Sequence, residues 1–174
     1  MAPNVTFYRS DDGALSVGHI DGSVLTFENQ GGGAAPNRTH IVTVGPDVLF
    51  YRSDDGTLFV GHIDSSGHLI GSQSGSTVQN WTHIVTIGSN VLFYRSDDGK
   101  FSVGHIDSSG HLVETHSDRV ALNWTHIMAV GYNVLFYRSD DGKFSVGHID
   151  SSRHLVETHS SGSASNWTHI VAVG

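Results

Sequence analysis

Apolar positions along the chain come in short runs broken by turn-forming residues, and nowhere do they recur with the spacing of a three-turn helix. Two β-rich runs, Val91 to Ser96 and Phe101 to Asp107, flank Asp97-Asp98-Gly99-Lys100. This is a hairpin signal, because Gly99 accommodates positive φ and the Asp side chains cap N–H groups of the turn. Ser108-Ser109-Gly110 marks a second turn, followed by a strand from about His111 to His116. A variable stretch, Ser117 to Asn123, leads into a last strand, Trp124 to Val130, which Gly131 ends. Val91, Phe93 and Arg95 share one strand face and Leu92, Tyr94 and Ser96 the other, so apolar residues lie on both, as in a sheet covered on each side.

The same pattern returns four times. Phe-Tyr-Arg-Ser-Asp-Asp-Gly begins at Phe7, Phe50, Phe93 and Phe136, a step of 43 residues, with Gly-His-Ile-Asp and Thr-His-Ile in constant register behind it. The last two copies differ at only six of 42 aligned positions, so they are expected to fold alike. The first copy departs most, with Arg38 where the others carry Trp81, Trp124 and Trp167. Four antiparallel strands per unit and a period just above 40 predict an all-β chain, a β-propeller of four-stranded blades. The expected organisation is a single propeller domain of four repeats, at about residues 4–46, 47–89, 90–132 and 133–174.

Composition narrows the partners. Nine Lys and Arg against 17 Asp and Glu give a net charge of -8, the wrong sign for gripping nucleic acid or an anionic membrane. No apolar stretch approaches the length of a membrane span, so no membrane insertion is expected. The start Met1-Ala2-Pro3-Asn4 lacks the basic and apolar parts of a secretory signal. The compartment is left open between the cytoplasm and export by a route not visible in the sequence. With no Cys, neither disulfides nor thiolate metal sites are available.

The recurring polar and aromatic set suits a polyhydroxylated ligand, whose hydroxyls need donors and acceptors and whose ring face stacks on an aromatic. Candidate ligand contacts are Trp81, Trp124 and Trp167; Asn80, Asn123 and Asn166; His83, His126 and His169; Asp55, Asp98 and Asp141; and Tyr51, Tyr94 and Tyr137. Each has a second reading. The Trp side chains fit the core between blades, the Asn residues fit turns or strand entries, and the loop acids form the hairpin turn or pair with residues such as Arg95. Calcium is disfavoured because the loops lack a full ligand set, and His105 two residues before Asp107 suggests a hydrogen bond rather than a metal ring. No catalytic residue, cofactor or metal is expected, since identical copies do not supply the unlike groups of an active site.

Trp-Thr-His-Ile-Val, then Val-Leu-Phe-Tyr-Arg-Ser-Asp-Asp-Gly, then Val-Gly-His-Ile-Asp resembles the tachylectin and tectonin group of β-propeller lectins over nearly the whole chain. The resemblance implies a non-enzymatic, multivalent lectin that binds glycans or glycoproteins between blades, often through N-acetylated sugars. A protein-interaction or scaffold propeller is the alternative. Such lectins commonly have five or more blades. The chain is therefore read either as a closed four-bladed monomer, which is favoured, or as part of a larger ring completed by oligomerisation.

Overall fold

A computed structural model of the chain describes residues 4–173, with the side chains of residue 4 and of residues 28–33 left aside. The described residues contain no helix and form four antiparallel sheets. The first has three strands, β1 (Asn4–Tyr8), β2 (Ala14–Asp21) and β3 (Val24–Gly33). The second runs β4 (His40–Val44), β5 (Asp47–Tyr51), β6 (Thr57–Ile63) and β7 (Leu69–Ser76). The third runs β8 (His83–Ile87), β9 (Asn90–Tyr94), β10 (Lys100–Ile106) and β11 (Leu112–Arg119). The fourth runs β12 (His126–Val130), β13 (Asn133–Tyr137), β14 (Lys143–Ile149) and β15 (Leu155–Gly162).

The expected strands form, but the sheets are out of phase with the repeats. The Trp-Thr-His-Ile run pairs forward: His126 lies opposite Tyr137 and Val130 opposite Asn133, so this run opens the following sheet. The first sheet consequently has three strands rather than four, and no strand pairing joins the last sheet to the first among the described residues.

Each hairpin is fixed as its sequence suggests. Gly99 sits at φ 69° and donates to the Arg95 carbonyl (3.0 Å), while Asp98 Oδ1 accepts from Lys100 N (3.0 Å). In the next turn Asp107 accepts from Ser109 N (2.8 Å) and His111 N (2.9 Å). The carboxylate is thus used by the backbone, and the ring of His105 takes a hydrogen bond from Arg153 instead. Gly104 marks a β-bulge, where an added Cβ would press against the Val113 carbonyl.

Packing explains the apolar residues on both strand faces. In β9, Val91 and Phe93 belong to the core shared with the second sheet, whereas Leu92 and Tyr94 belong to the core shared with the fourth. All four are buried, so one strand serves two joints. Trp81 and Trp124 are the large plugs of these joints, against Phe93 (ring centroids 5.7 Å) and Phe136 (5.8 Å). At the first joint Arg38 takes the Trp position, donating to Thr57 O (3.1 Å), and burial pushes its pKa down.

The edge strands β4, β8 and β12, which lie beside one another, are linked by histidines. His40 Nε2 meets Thr82 O (3.2 Å), His83 Nε2 meets Thr125 O (3.2 Å) and His126 Nε2 meets Thr168 O (3.1 Å). Burial holds the pKa of His83 below the ordinary imidazole value; its bond to Thr125 opposes this, and His40 and His126 add repulsion. Burial likewise lowers His40. Between the depressed folded pKa and about 6.5, the unfolded chain binds more protons, so stability is lost as the pH drops through that window. Thermal melts from about pH 7.5 down to about pH 5 should show a falling midpoint, with a smaller fall in His83→Gln. An unchanged or rising midpoint contradicts this.

Candidate functional site

Two cavities open between neighbouring sheets, each beside a buried Trp. One, about 180 Å³, lies between the second and third sheets and is lined by Gln73, Ser76, Thr77, Trp81, Ser102 and Glu114, among others. The other, about 150 Å³, lies between the third and fourth sheets, with His116, Asp118, Arg119, Trp124, Ser145 and Glu157 in its wall. In each, a buried serine donates to a glutamate of the adjoining outer strand: Ser102 Oγ to Glu114 Oε2 (2.6 Å) and Ser145 Oγ to Glu157 Oε2 (2.7 Å). The bulge explains the placement, because it sets Glu114 opposite Gly104 and Glu157 opposite Gly147, where no side chain fills the space.

The cavities differ at their mouths. Gln73, Gly75 and Ser76 of the first become His116, Asp118 and Arg119 in the second, one repeat later. Equivalent positions on the fourth sheet are His159, Ser161 and Gly162; of the two cavities, the one between the third and fourth sheets carries imidazole, carboxylate and guanidinium together. Three of the six positions at which the last two copies differ, Asp118, Arg119 and Val120, lie in the wall of this cavity.

That cavity also holds unused hydrogen-bonding groups. Nδ1 of His116 and Nε1 of Trp124, two residues of the cavity wall, are buried without a partner, a costly arrangement. His116 is wedged edge-on between Phe101 (5.2 Å) and His154 (4.5 Å), which fixes its ring. Arg138 covers the Trp124 ring at 5.6 Å. Arg119, largely exposed, sits 3.5 Å from Asp98, whose carboxylate is already gripped by Arg95. Arg119 can therefore turn to an anionic group at the mouth.

The residues expected as ligand contacts fall into three settings. Trp81 and Trp124 are 1% and 6% exposed, packed in the core and lining the cavities by one edge, while Trp167 is 54% exposed. The hydroxyls of Tyr51, Tyr94 and Tyr137 donate to Val78, Ala121 and Ala164 carbonyls (2.9 Å each) and accept from the backbone N of Trp81, Trp124 and Trp167 (3.2 Å each). Asn80, Asn123 and Asn166 occupy left-handed turns at φ 64°, 60° and 66°. His83 and His126 reach the carbonyls of Thr125 and Thr168, and His169 contacts the Thr168 hydroxyl (3.0 Å). Asp55, Asp98 and Asp141 pair with Arg52, Arg95 and Arg138 inside their own hairpins, which holds all three carboxyls well below the usual carboxylate pKa. Of this set, Trp81 and Trp124 line the two cavities, while Tyr137, Trp167 and His169 line an open groove beside the fourth sheet and Asp141 an open cleft that also touches Trp124. Ser145, Glu157, Asp118 and Arg119 lie outside the set expected from sequence; the signal that points to Asp118 and Arg119 is their place among the few positions where the last two copies differ. Among the described residues no three His, Asp or Glu side chains converge for a metal.

No protein-family model and no curated protein matches the chain. Solved structures do. A protein from Bacteroides uniformis named as a candidate 6-phosphogluconolactonase matches with a TM-score of 0.69 at 11% identity, covering 94% of this chain and 52% of that one. Another from Bacteroides fragilis, named likewise, gives 0.65 at 13% identity over 88% and 50%. The periplasmic gluconolactonase of Pseudomonas aeruginosa gives 0.63 at 14% identity over 94% and 52%. The chain thus spans about half the length of these structures, and the likeness is one of fold.

These matches correct the lectin expectation. The similar structures are named as gluconolactonases, not tachylectin or tectonin lectins. The multivalent non-enzymatic lectin, its glycan or glycoprotein partners and the scaffold alternative are withdrawn with that resemblance. The physical reason lies in the cavities: the lectin expectation needs equivalent repeats, and at the one joint bearing His116, Asp118 and Arg119 they are not equivalent.

Proposed function

We propose that the four repeats act as one domain, an arc of propeller blades, that hydrolyses a small sugar-acid lactone in the cavity between the third and fourth sheets. The observation that carries this is the single cavity in which a histidine with an unpartnered ring nitrogen, a buried indole N–H, a carboxylate and an arginine meet. Gluconolactonase names among structures of similar fold support the reaction class, and the periplasmic setting of the Pseudomonas aeruginosa protein supports an exported one. A cavity of about 150 Å³ suits one ring rather than a sugar chain.

The groups present divide the chemistry between them. His116 takes a proton at Nδ1 from water as its oxygen attacks the lactone carbonyl, and Trp124 Nε1–H donates to the oxyanion that forms. Collapse breaks the bond to the ring oxygen, which leaves with the proton returned by His116, giving the open hydroxy acid. Glu157, aligned by Ser145, accepts a substrate hydroxyl, and Arg119 favours an anionic substituent such as a phosphoryl group.

Acid release from gluconolactone and 6-phosphogluconolactone in a pH-stat tests this. The chain should exceed the uncatalysed rate, His116→Gln, which installs the residue of the other cavity, should lose about 10²-fold or more, and Arg119→Ser should raise KM for the phosphorylated lactone only. A wild-type rate equal to the uncatalysed one, with both lactones, rejects the proposal.

A further inference from the structure

We propose that Arg153 is a positioning residue for His116. Its Cβ holds the turn at residues 150–154, between β14 and β15, away from β11, and its guanidinium fastens that turn to His105 of β10. The standoff leaves Nδ1 of His116 free to take a proton. The catalytic meaning of this rests on the hydrolytic proposal, whereas the placement of His116 does not.

The same turn occurs in three sheets. Gly67 and Gly110 occupy its left-handed position at φ 75° and 77°, and Arg153 occupies it at φ 63°. Every other described non-glycine residue with positive φ is an Asn, a type that tolerates this region far better. The backbone of the turn survives the exchange, since Asp150 Oδ1 accepts from Ser152 N and His154 N (2.9 Å each), as Asp107 does from Ser109 N and His111 N. An arginine is thus kept in strain where glycine closes the turn without it, and a contact outside the turn has to hold it there.

The exchange changes how the turn docks on the neighbouring sheet. Between the second and third sheets it sits tightly on β7: Ser72 Oγ donates to Gly110 O (2.8 Å), and Gln73 Oε1 accepts from Leu112 N (2.7 Å). A Cβ at Gly110 would stand 2.4 Å from the Cβ of Ser72, so that fit admits only glycine. Between the third and fourth sheets, Thr115 and His116 take the places of Ser72 and Gln73, one repeat later. Thr115 Oγ1 bonds Val103 O (3.0 Å) and, among the described residues, makes no bond to Arg153, while Nδ1 of His116 has no partner. Both docking bonds are missing at the joint where a side chain fills the left-handed position. In their place Arg153 Nη1 donates to Nδ1 of His105, and the rings of His154 and His116 meet edge-on at 4.5 Å. Arg153 for Gly110 is one of the six differences between the last two copies, and like Asp118 and Arg119 it belongs to this joint.

Two variants of the full chain, read first without substrate, test this. In Arg153→Gly the turn should close on β11, with Leu155 N donating to Nδ1 of His116 as Leu112 N does to Gln73. The ring-nitrogen resonance of His116 and the amide resonance of Leu155 should then move together in ¹⁵N spectra. Thermal melting should hold or rise, because glycine relieves the left-handed backbone. Arg153→Lys keeps the Cβ and a donor for His105, and its His116 and Leu155 resonances should stay close to those of the wild-type chain. In the pH-stat, kcat for lactone hydrolysis should fall about tenfold in Arg153→Gly with KM unchanged, and recover in Arg153→Lys. Unmoved His116 and Leu155 resonances in Arg153→Gly, a melting midpoint that drops in that variant, or an Arg153→Lys chain that behaves like Arg153→Gly overturns the proposal. A wild-type chain without activity rejects the hydrolytic reading alone, and the resonances still decide the placement of His116.

Discussion

Trp81→Ala should cost about 3–5 kcal/mol, a large fraction of the roughly 5–15 kcal/mol that holds an ordinary domain folded. The indole is 1% exposed and plugs the joint between the second and third sheets, in a cluster with Leu49, Tyr51, Leu58 and Phe93. Its removal leaves a void that strands held in register on both sides cannot close. Trp81→Phe keeps most of the contact and loses no internal hydrogen bond, since Nε1 has no partner. It should cost roughly a third to a half as much. Tyr132, an aromatic of similar chemistry but 83% exposed, is the control, and its alanine variant should stay within about 0.5 kcal/mol. Urea titrations of the three variants separate the cases; equal midpoints for Trp81→Ala and Tyr132→Ala would remove the joint as the seat of stability.

Gly99→Ala should be the next most damaging change, at about 2–4 kcal/mol. Two costs combine there. The backbone is left-handed at φ 69°, and an added Cβ would run into the Val120 carbonyl, which a backbone hydrogen bond from Val120 N to Gly99 O (2.9 Å) keeps close. Gly131 isolates the first cost. Its φ is 61°, but nothing lies within 4 Å of the added methyl, so Gly131→Ala should cost only about 1–2 kcal/mol. The difference between the two variants, read from their urea midpoints, measures the clash. A zero difference would mean that the segment before Trp124 yields freely, and that the hairpin does not position it.

Strand content was legible because period-two runs and Asp-Asp-Gly turns act locally. Sheet membership is a choice between neighbours, and repetition hides it. The deciding detail was loop length: only Gly88 and Ser89 separate β8 from β9, a two-residue hairpin connection, whereas a longer stretch, residues 120–125, separates β11 from β12. The Trp-Thr-His-Ile run therefore belongs with the strand C-terminal to it. The arginine–aspartate pairs of the hairpins were open in the sequence as one of two readings, since Arg95 and Asp98 are close along the chain. The Ser145–Glu157 pair was not, because it depends on a bulge that brings together residues on two different strands.

Division of β9 between two joints has a consequence for how such a chain can lengthen. The second and third repeats carry both complementary halves of the contact, Val and Phe facing backward, Leu and Tyr facing forward. A duplicated gene segment thus arrives already fitted to its predecessor and ready for a successor, with no new surface to evolve. Divergence can then accumulate at the cavity rim, where Gln73 and His116 already differ, while the stacking rule stays untouched.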